Sequence, residues 1–146
     1  MWKVATEDDL RKSISETEIE AYRAAAIDSG IDPVSDLLMR TARLVRGYLR
    51  ANRRIRLPQD ELLIPDTLIA PAMDYAAFDV VSRVPVDNTE DRRVKRQQAI
   101  AVFQAVAADR FFVESFEPED DASGGTAARL VSSCPRKVTP YTIDGL

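Results

Sequence analysis

The stretch that decides the fold is DPVSDLLMRTARLVRGYLRAN, Asp32 to Asn52, because it has the clearest helical periodicity in the chain. This spacing predicts an amphipathic helix of about five turns. Asp32 is expected to cap the helix, and Pro33 to occupy its first turn. The inward positions recur at steps of three and four residues and comprise Val34, Leu37, Leu38, Thr41, Ala42, Val45, Tyr48 and Leu49.

Two shorter helices are predicted before the long one. Thr6 is expected to cap the first, which has two aspartates in its opening turn. Ser15 and Glu18 have the spacing of a capping box for the second. Gly30 is expected to end this second helix. Its apolar face comprises Ile19, Tyr22, Ala26 and Ile27.

Two further helices are predicted after the long one. In DTLIAPAMDYAAFDVVSRVP, residues 66–85, a broad apolar stripe predicts a helix that is buried on most sides. Pro71 near its start predicts an irregular or kinked first turn. This stripe comprises Leu68, Ile69, Ala72, Met73, Ala76, Ala77, Val80 and Val81.

The last strong helix is expected to be capped by Asn88 or Thr89. Its apolar side is assigned to Val94, Ala101, Val102, Phe103 and Ala105. FFVESF, residues 111–116, is short and aromatic, so that an extended segment and a helix end are both compatible with it.

From Glu117 onwards the chain is rich in Ser, Thr, Gly, Pro and acidic residues, without sustained periodicity. Such a composition predicts a segment that orders only against a partner. The expected organisation is therefore an all-α bundle of about four to five helices over residues 1–116, followed by an extended C-terminal tail over residues 117–146.

The absence of histidine limits the chemistry that the chain can perform. Without histidine and with Cys134 as its one cysteine, the chain lacks the residues of Ser–His, Cys–His and ordinary zinc sites. A non-enzymatic protein without cofactor or metal is therefore expected. The competing hypothesis is a carboxylate-based enzyme that uses Asp74 and Asp79. No membrane span or signal peptide is predicted, which favours synthesis in the cytoplasm.

The segment from Met39 to Pro58 contains seven arginines and no acidic residue, in a chain of net charge −4. On a helix, most of them fall on one stripe. Three interpretations stay open, namely a solvated face, a subunit interface or channel lining, and a nucleic-acid contact. The candidate residues of the DNA-channel or subunit interface are Arg40, Arg43, Arg46, Arg50, Arg53 and Arg54, with Arg56 completing the seven.

Two other charged groups bear on this question. The acids of the first two helices are candidate partners for the stripe if they come from a neighbouring copy: Glu7, Asp8, Asp9, Glu16, Glu18 and Glu20. The second basic cluster favours a solvated helical turn, with an acidic or phosphate partner as the alternative: Arg92, Arg93, Lys95 and Arg96.

The order of these parts resembles the short head–tail connector (adaptor or head-completion) proteins of tailed bacteriophages and Mu-like prophages. The opening VATEDDLRKSISETEIEAY is similar to the family's first two helices, and DPVSDLLMRTARLVRGYLRANRRIRLP resembles its long helix and the loop that follows. IAPAMDYAAFDVVSR is similar to the next helix, and RLVSSCPRKVTPYTIDGL is similar to the tail of some members. The stretches VPVDNTEDRRVKRQQA and FFVESF depart from the family's pattern.

This resemblance implies a virion protein that is assembled in the host cytoplasm and located at the head–tail interface. Members form a ring of about 12 copies below the portal, pass DNA through the channel without sequence specificity, and contact the tail or a stopper protein. The arginine stripe would then face a neighbouring subunit or the DNA. The tail would bind the portal or a neighbour through Leu130, Val131, Pro135, Tyr141, Ile143 and Leu146. The alternative function is a nucleic-acid-binding helical regulator that uses the Arg40–Arg56 stripe.

Overall fold

The computed structural model describes residues 1–26, 30–84 and 90–118, and within these ranges the chain forms five α-helices and a two-stranded sheet. The prediction of a small all-α bundle is confirmed. A 3-10 turn leads into the fourth helix. In chain order the elements are β1 (Trp2–Val4), α1 (Glu7–Arg11), α2 (Glu16–Ala25), α3 (Pro33–Ala51), β2 (Leu63–Pro65), the 3-10 turn (Asp66–Leu68), α4 (Ile69–Arg83) and α5 (Glu90–Ala107).

The predicted N-terminal caps of α1, α2 and α3 are confirmed. Thr6 and Ser15 each accept a hydrogen bond from the main chain three residues on, and an acidic side chain closes both capping boxes. Asp32 caps α3, with Pro33 in its first turn. Each cap satisfies main-chain N–H groups that have no partner inside the helix, which sets the starting points of these helices.

The predicted end of α2 at Gly30 is wrong. The helix ends at Ala25, Ala26 is already extended, and Gly30 lies further along with φ of +73°. The last residue of α2 in the core is Tyr22, and the following side chains are exposed except for Arg23. A helix without an apolar face to bury gains little by continuing. Ile27 lies outside the described residues.

Helix α4 is the centre of the bundle, in contact with α1, α2, α3 and α5. All eight residues of its predicted apolar stripe are buried. Three of them are alanines, which allow neighbouring helices to approach closely. The predicted irregular start is present as the 3-10 turn Asp66–Leu68, and Pro71 falls in the first α-helical turn, where its missing N–H group leaves no helical hydrogen bond unmade.

The predicted apolar side of α5 is wrong at two positions. Val94 is 40% exposed, and Ala101 is also exposed. The buried residues of α5 are Ala99, Phe103 and Val106, at steps of four and three residues. Apolar residues occur on nearly every side of α5, and the predicted set combined residues from two of its faces. The tertiary contacts of Phe103 determine which face is buried. The predicted caps at Asn88 and Thr89 lie outside the described residues.

A small antiparallel sheet was not predicted. It pairs Trp2 with Pro65, Lys3 with Ile64 and Val4 with Leu63. Strands of three residues are too short for an alternating pattern, so the sequence carries no signal for them. The sheet fixes the loop after α3 against the N-terminus.

The segment after α5 continues as non-helical chain, so FFVESF is not a helix end. Asp109, with φ of 58°, follows the end of α5. The Phe116 N–H group donates to the Arg56 carbonyl at 3.1 Å, and the Trp2 and Phe116 rings meet edge to face at 6.1 Å. Residues 119–146 lie outside the described part of the chain, together with all six predicted tail anchors and Cys134.

Candidate functional site: the arginine-rich face of α3

The buried side of α3 faces the core, and its opposite side carries exposed arginines. Val45 and Leu49 are fully buried, and Arg43 and Arg50 point away from them. At about 100° per residue, Arg43 and Arg50 lie on one side of the helix. This part of the predicted stripe is exposed, as expected.

Arg46 departs from the predicted stripe because it is buried, with 4% of its surface exposed. Its guanidinium donates to the main-chain carbonyl of Leu63 at 2.9 Å and to that of Pro58 at 2.8 Å. Arg46 is only about 100° from Val45 around the helix, so it lies at the edge of the core-facing side. The Pro58–Leu63 loop and β2 close over this edge. Arg46 is therefore a structural residue that holds the loop.

Burial leaves the Arg46 charge poorly compensated. Burial lowers the pKa of Arg46 and the nearby Arg50 charge lowers it further, whereas Glu61 and Asp60 act in the opposite direction. No carboxylate of the described residues forms an ion pair with Arg46, and its Nε atom has no hydrogen-bond partner there. The loop therefore encloses a cation whose charge acts on the surface above it.

A small hollow lies over this cation. It has a volume of about 160 Å³ and is lined by Arg43, Arg46, Arg50 and Glu61, a set that we call the arginine hollow. The Arg43 Nε atom lies 3.8 Å from the Glu61 carboxylate, and both side chains are more than half exposed. Three guanidinium groups thus share one loosely held carboxylate.

Two other arginines of the stripe have acidic partners within the chain. Arg40 forms an ion pair with Asp36 at 2.9 Å, and Arg54 forms one with Asp109 at 2.6 Å. The absence of acids between Met39 and Pro58 therefore does not mean that these arginines are unpaired. Within the described ranges, ion pairs are absent for Arg50 and Arg53, which are exposed.

The acids proposed as partners from a neighbouring copy are mostly used inside the chain. Arg11 pairs with three of them, and Arg23 bridges Glu7 and Asp32. Lys12 pairs with Asp9, and the Lys12 hydrogen bond lowers the pKa of that carboxyl. Among the acids of α1 and α2, Glu20 is exposed and makes no ion pair with any other described residue.

In the second basic cluster, the interpretation as a solvated turn is wrong at Arg92 and Arg96, because both side chains contact other helices. Arg92 lies 2.8 Å from the Glu18 carboxylate, so that the alternative interpretation, an acidic partner, describes this residue, and the partner comes from the same chain. The Arg96 guanidinium lies 5.1 Å from the centre of the Tyr75 ring and 4.5 Å from that of Phe78. These residues join α5 to α2 and α4.

The two carboxylates considered for catalysis, Asp74 and Asp79, have different surroundings. Asp74 accepts a hydrogen bond from Ser13 at 3.2 Å and borders a surface pocket of about 380 Å³ that Asp9 and Asp66 also line. Asp79 is not part of this pocket. Lys3 lowers the pKa of Asp66, and within the described ranges no three metal-ligating side chains converge.

Phe111 and Phe112 form an exposed apolar edge that was not predicted from the sequence. Phe112 is 89% exposed and Phe111 is 38% exposed, whereas Val113 is buried between them and the core. Beside them a groove of about 390 Å³ runs past Arg54 to Glu117. The aromatic run FFVESF was the available signal, but nothing in it distinguished a buried edge from an exposed one.

Asn52, to which the sequence assigned no role, is buried at the end of α3. Its Nδ2 atom donates to the Val106 carbonyl at 2.9 Å, and its Oδ1 atom accepts from the Arg54 N–H group at 3.0 Å. Asn52 therefore fixes the end of α5 and the start of the loop that carries Arg53 and Arg54.

Comparisons with models of protein families, with curated proteins and with solved structures give no match for this chain. Across residues 1–26, 30–84 and 90–118, none of the helices combines the length and apolarity that crossing a membrane requires.

Proposed function

We propose that this protein is a structural virion component, a head–tail connector that forms a ring between the portal and the tail and surrounds the DNA exit channel. The all-α bundle and the order of sequence segments that resembles this family support the proposal. The ring is expected to have about 12 copies and to contact a portal protein on one side and a tail or stopper protein on the other.

The observation that carries the proposal is the incomplete neutralisation of the arginine face. Arg50 and Arg53 are exposed without an ion pair in the described part of the chain, and Arg43 is held only loosely by Glu61. An isolated helical bundle gains nothing from such a face, since like charges on one helix repel. A neighbouring subunit or the DNA in the channel supplies the missing negative charge.

The exposed apolar edge supports a second contact. Phe112 is almost fully exposed at the point where the described chain approaches the tail of residues 119–146. Large exposed aromatic side chains are typical of protein interfaces. In the connector, this edge and the tail contact the portal or an adjacent subunit.

A non-enzymatic role agrees with the chemistry on the surface. The pocket beside Asp74 contains carboxylates that are already bound by Lys3, Lys12 and Ser13. General acid–base catalysis needs a group whose pKa lies near the working pH. The pKa values of Asp9 and Asp66 are lowered instead.

The test is the mass of the purified protein by light scattering, alone and mixed with its cognate portal protein. We expect the full chain to join the portal as a ring and the chain without residues 117–146 to fail to do so. A variant with residues 117–146 in scrambled order is the matched control, because it keeps the length and charge of the tail. A full chain that never binds the portal contradicts the proposal.

The second candidate is a nucleic-acid-binding regulator, which the exposed Arg50 and Arg53 favour. It predicts duplex DNA binding by the isolated protein, with a log–log salt slope of about −0.9 for each phosphate contacted. The connector predicts negligible binding by monomers. A salt-dependent binding curve for the isolated chain separates the two.

A further inference from the structure

We propose that the arginine hollow receives a carboxylate side chain from a second copy of this chain, and that Glu20 of α2 is the residue that enters it. This inference rests on the proposed function, because it assigns a chemical contact to the interface between ring subunits. It makes the site composite: one copy supplies the guanidinium groups and the next copy supplies the acid.

The arginine hollow carries an excess of positive charge. Arg43, Arg46 and Arg50 occupy positions i, i+3 and i+7 of α3 and line a space of about 160 Å³. Glu61 is the one acid that lines it, and its carboxylate lies 3.8 Å from Arg43, beyond hydrogen-bond distance. A second carboxylate in this space would form charge-assisted hydrogen bonds with Arg43 and Arg50, whose side chains make no hydrogen bond with other described residues.

Without an occupant in the hollow, the buried charge of Arg46 is poorly compensated. Arg46 is buried, and its pKa is lowered by burial and then by Arg50. Its two terminal nitrogen atoms donate to main-chain carbonyls that carry no full charge, and its Nε atom has no partner among the described residues. A carboxylate above it would reverse part of this destabilisation, because opposite charge favours the charged form. The hollow is therefore better suited to an anion than to water.

The occupant is assigned by its charge and by elimination among the acids of α1 and α2. The chain has a net charge of −4, so a second copy is a source of acids. Of the acids in α1 and α2, those that pair with Arg11, Lys12, Arg23 and Arg92 are already used. Glu20 is exposed on α2 and pairs with no other described residue.

The two surfaces belong to different elements, so their contact is heterologous. A contact of this kind joins each copy to the next in the same direction, and it closes into a ring when the rotation between copies permits. Both surfaces are polar, so one contact is weak. Many weak contacts in a closed ring act together.

The test is a charge-reversal series followed by sedimentation velocity at low ionic strength. Arg50→Glu and Glu20→Arg are each expected to raise the dissociation constant of self-association at least about 10-fold, which corresponds to about 1.4 kcal/mol. The double variant Arg50→Glu/Glu20→Arg is expected to restore association, because the pair is present again in reverse. Arg110→Glu is the matched control, since Arg110 is exposed and outside the hollow.

Several outcomes overturn the inference. These are a wild-type chain that stays monomeric at millimolar concentration, a double variant that does not regain association, and a loss of association in Arg110→Glu equal to that in Arg50→Glu. Duplex DNA binding by the isolated chain that is lost in Arg50→Glu would identify nucleic acid as the occupant instead. A chain that does not self-associate through Arg50 and Glu20 but still joins the portal contradicts this inference and leaves the connector proposal standing.

Discussion

The Arg92 guanidinium lies 2.8 Å from the Glu18 carboxylate, although 74 residues separate them in the sequence. Glu18 also closes the capping box of α2 through Ser15, so one carboxylate both starts α2 and joins it to α5. Burial raises the pKa of Glu18, but the Ser15 N–H group and Arg92 outweigh burial, and the net pKa is lowered. The helix cap and the tertiary contact therefore depend on the same ionised group.

A double-mutant cycle with Glu18→Gln and Arg92→Gln is expected to give a coupling energy of about 1–2 kcal/mol in the free energy of unfolding. The pair is mostly shielded from water, which strengthens it. The matched control is Glu90 with Arg93, an exposed pair at 3.5 Å whose coupling should stay below about 0.5 kcal/mol. Urea denaturation measures both cycles. Equal coupling in the two would contradict a special role for the shielded pair.

Arg46→Met is expected to reduce the free energy of unfolding by about 2–4 kcal/mol, because it leaves the carbonyls of Leu63 and Pro58 without their donors. Arg50→Met, one turn further along α3, should change it by less than about 0.5 kcal/mol because Arg50 is exposed. The comparison, made by urea denaturation, separates the structural arginine from the surface arginine. Arg46→Met with wild-type stability would show that the loop does not need it.

Phe103→Ala is expected to cost about 3–5 kcal/mol of unfolding free energy. Phe103 is fully buried, and its ring lies 5.7 Å from that of Tyr48 and 6.4 Å from that of Tyr75. The control Phe112→Ala removes an equally large side chain that is 89% exposed, so it should change stability by less than about 0.5 kcal/mol. Thermal unfolding followed by circular dichroism distinguishes the two. A large loss in Phe112→Ala would mean that this edge is covered within the chain itself.

Stability is expected to be nearly constant between about pH 5 and 7 and to fall in more acidic solution. The pKa values of Asp9, Glu18 and Asp32 are lowered from ordinary values of 3.8, 4.5 and 3.8. A lowered carboxyl pKa adds stability that is fully present above the ordinary value and is lost as the pH falls through the folded-state value.

Urea midpoints measured from pH 2 to 7 check this dependence. Glu18→Gln should reduce the loss of stability in acid, because one of the carboxyl groups with a lowered pKa is removed. The chain has no histidine, so a change in stability near pH 6 would contradict the assignment of the pH dependence to these carboxyl groups.

Local signals were sufficient for most of the helical core. The caps at Thr6, Ser15 and Asp32 were predictable because capping depends on residues two or three positions apart. The apolar stripe of α4 was predictable because it is broad enough to be buried whatever packs against it. The buried face of α5 was not, because its apolar residues lie nearly all round the helix and Phe103 selects one side by packing on Tyr48 and Tyr75.

The candidate site shows the same division. The sequence predicted a set of arginines on one side of α3, since helical geometry alone places Arg43 and Arg50 together. It did not predict that Arg46 would be buried, because this depends on a loop whose position is determined by the pairing of β2 with β1. Nor did it predict that Asp109 would reach Arg54, since the two residues are 55 positions apart and the end of α5 lies between them.

The sequence by itself determined where α1, α2 and α3 start, which faces of α3 and α4 are apolar, and that histidine-dependent chemistry is absent, because each of these depends on residue type or on spacing within one turn. The tertiary structure alone decided which charges far apart in the chain are paired, which arginine is buried and which acid of α2 is left without an ion pair among the described residues. Those outcomes depend on contacts between segments far apart in the chain, such as Glu18 with Arg92, and no local pattern encodes such distances.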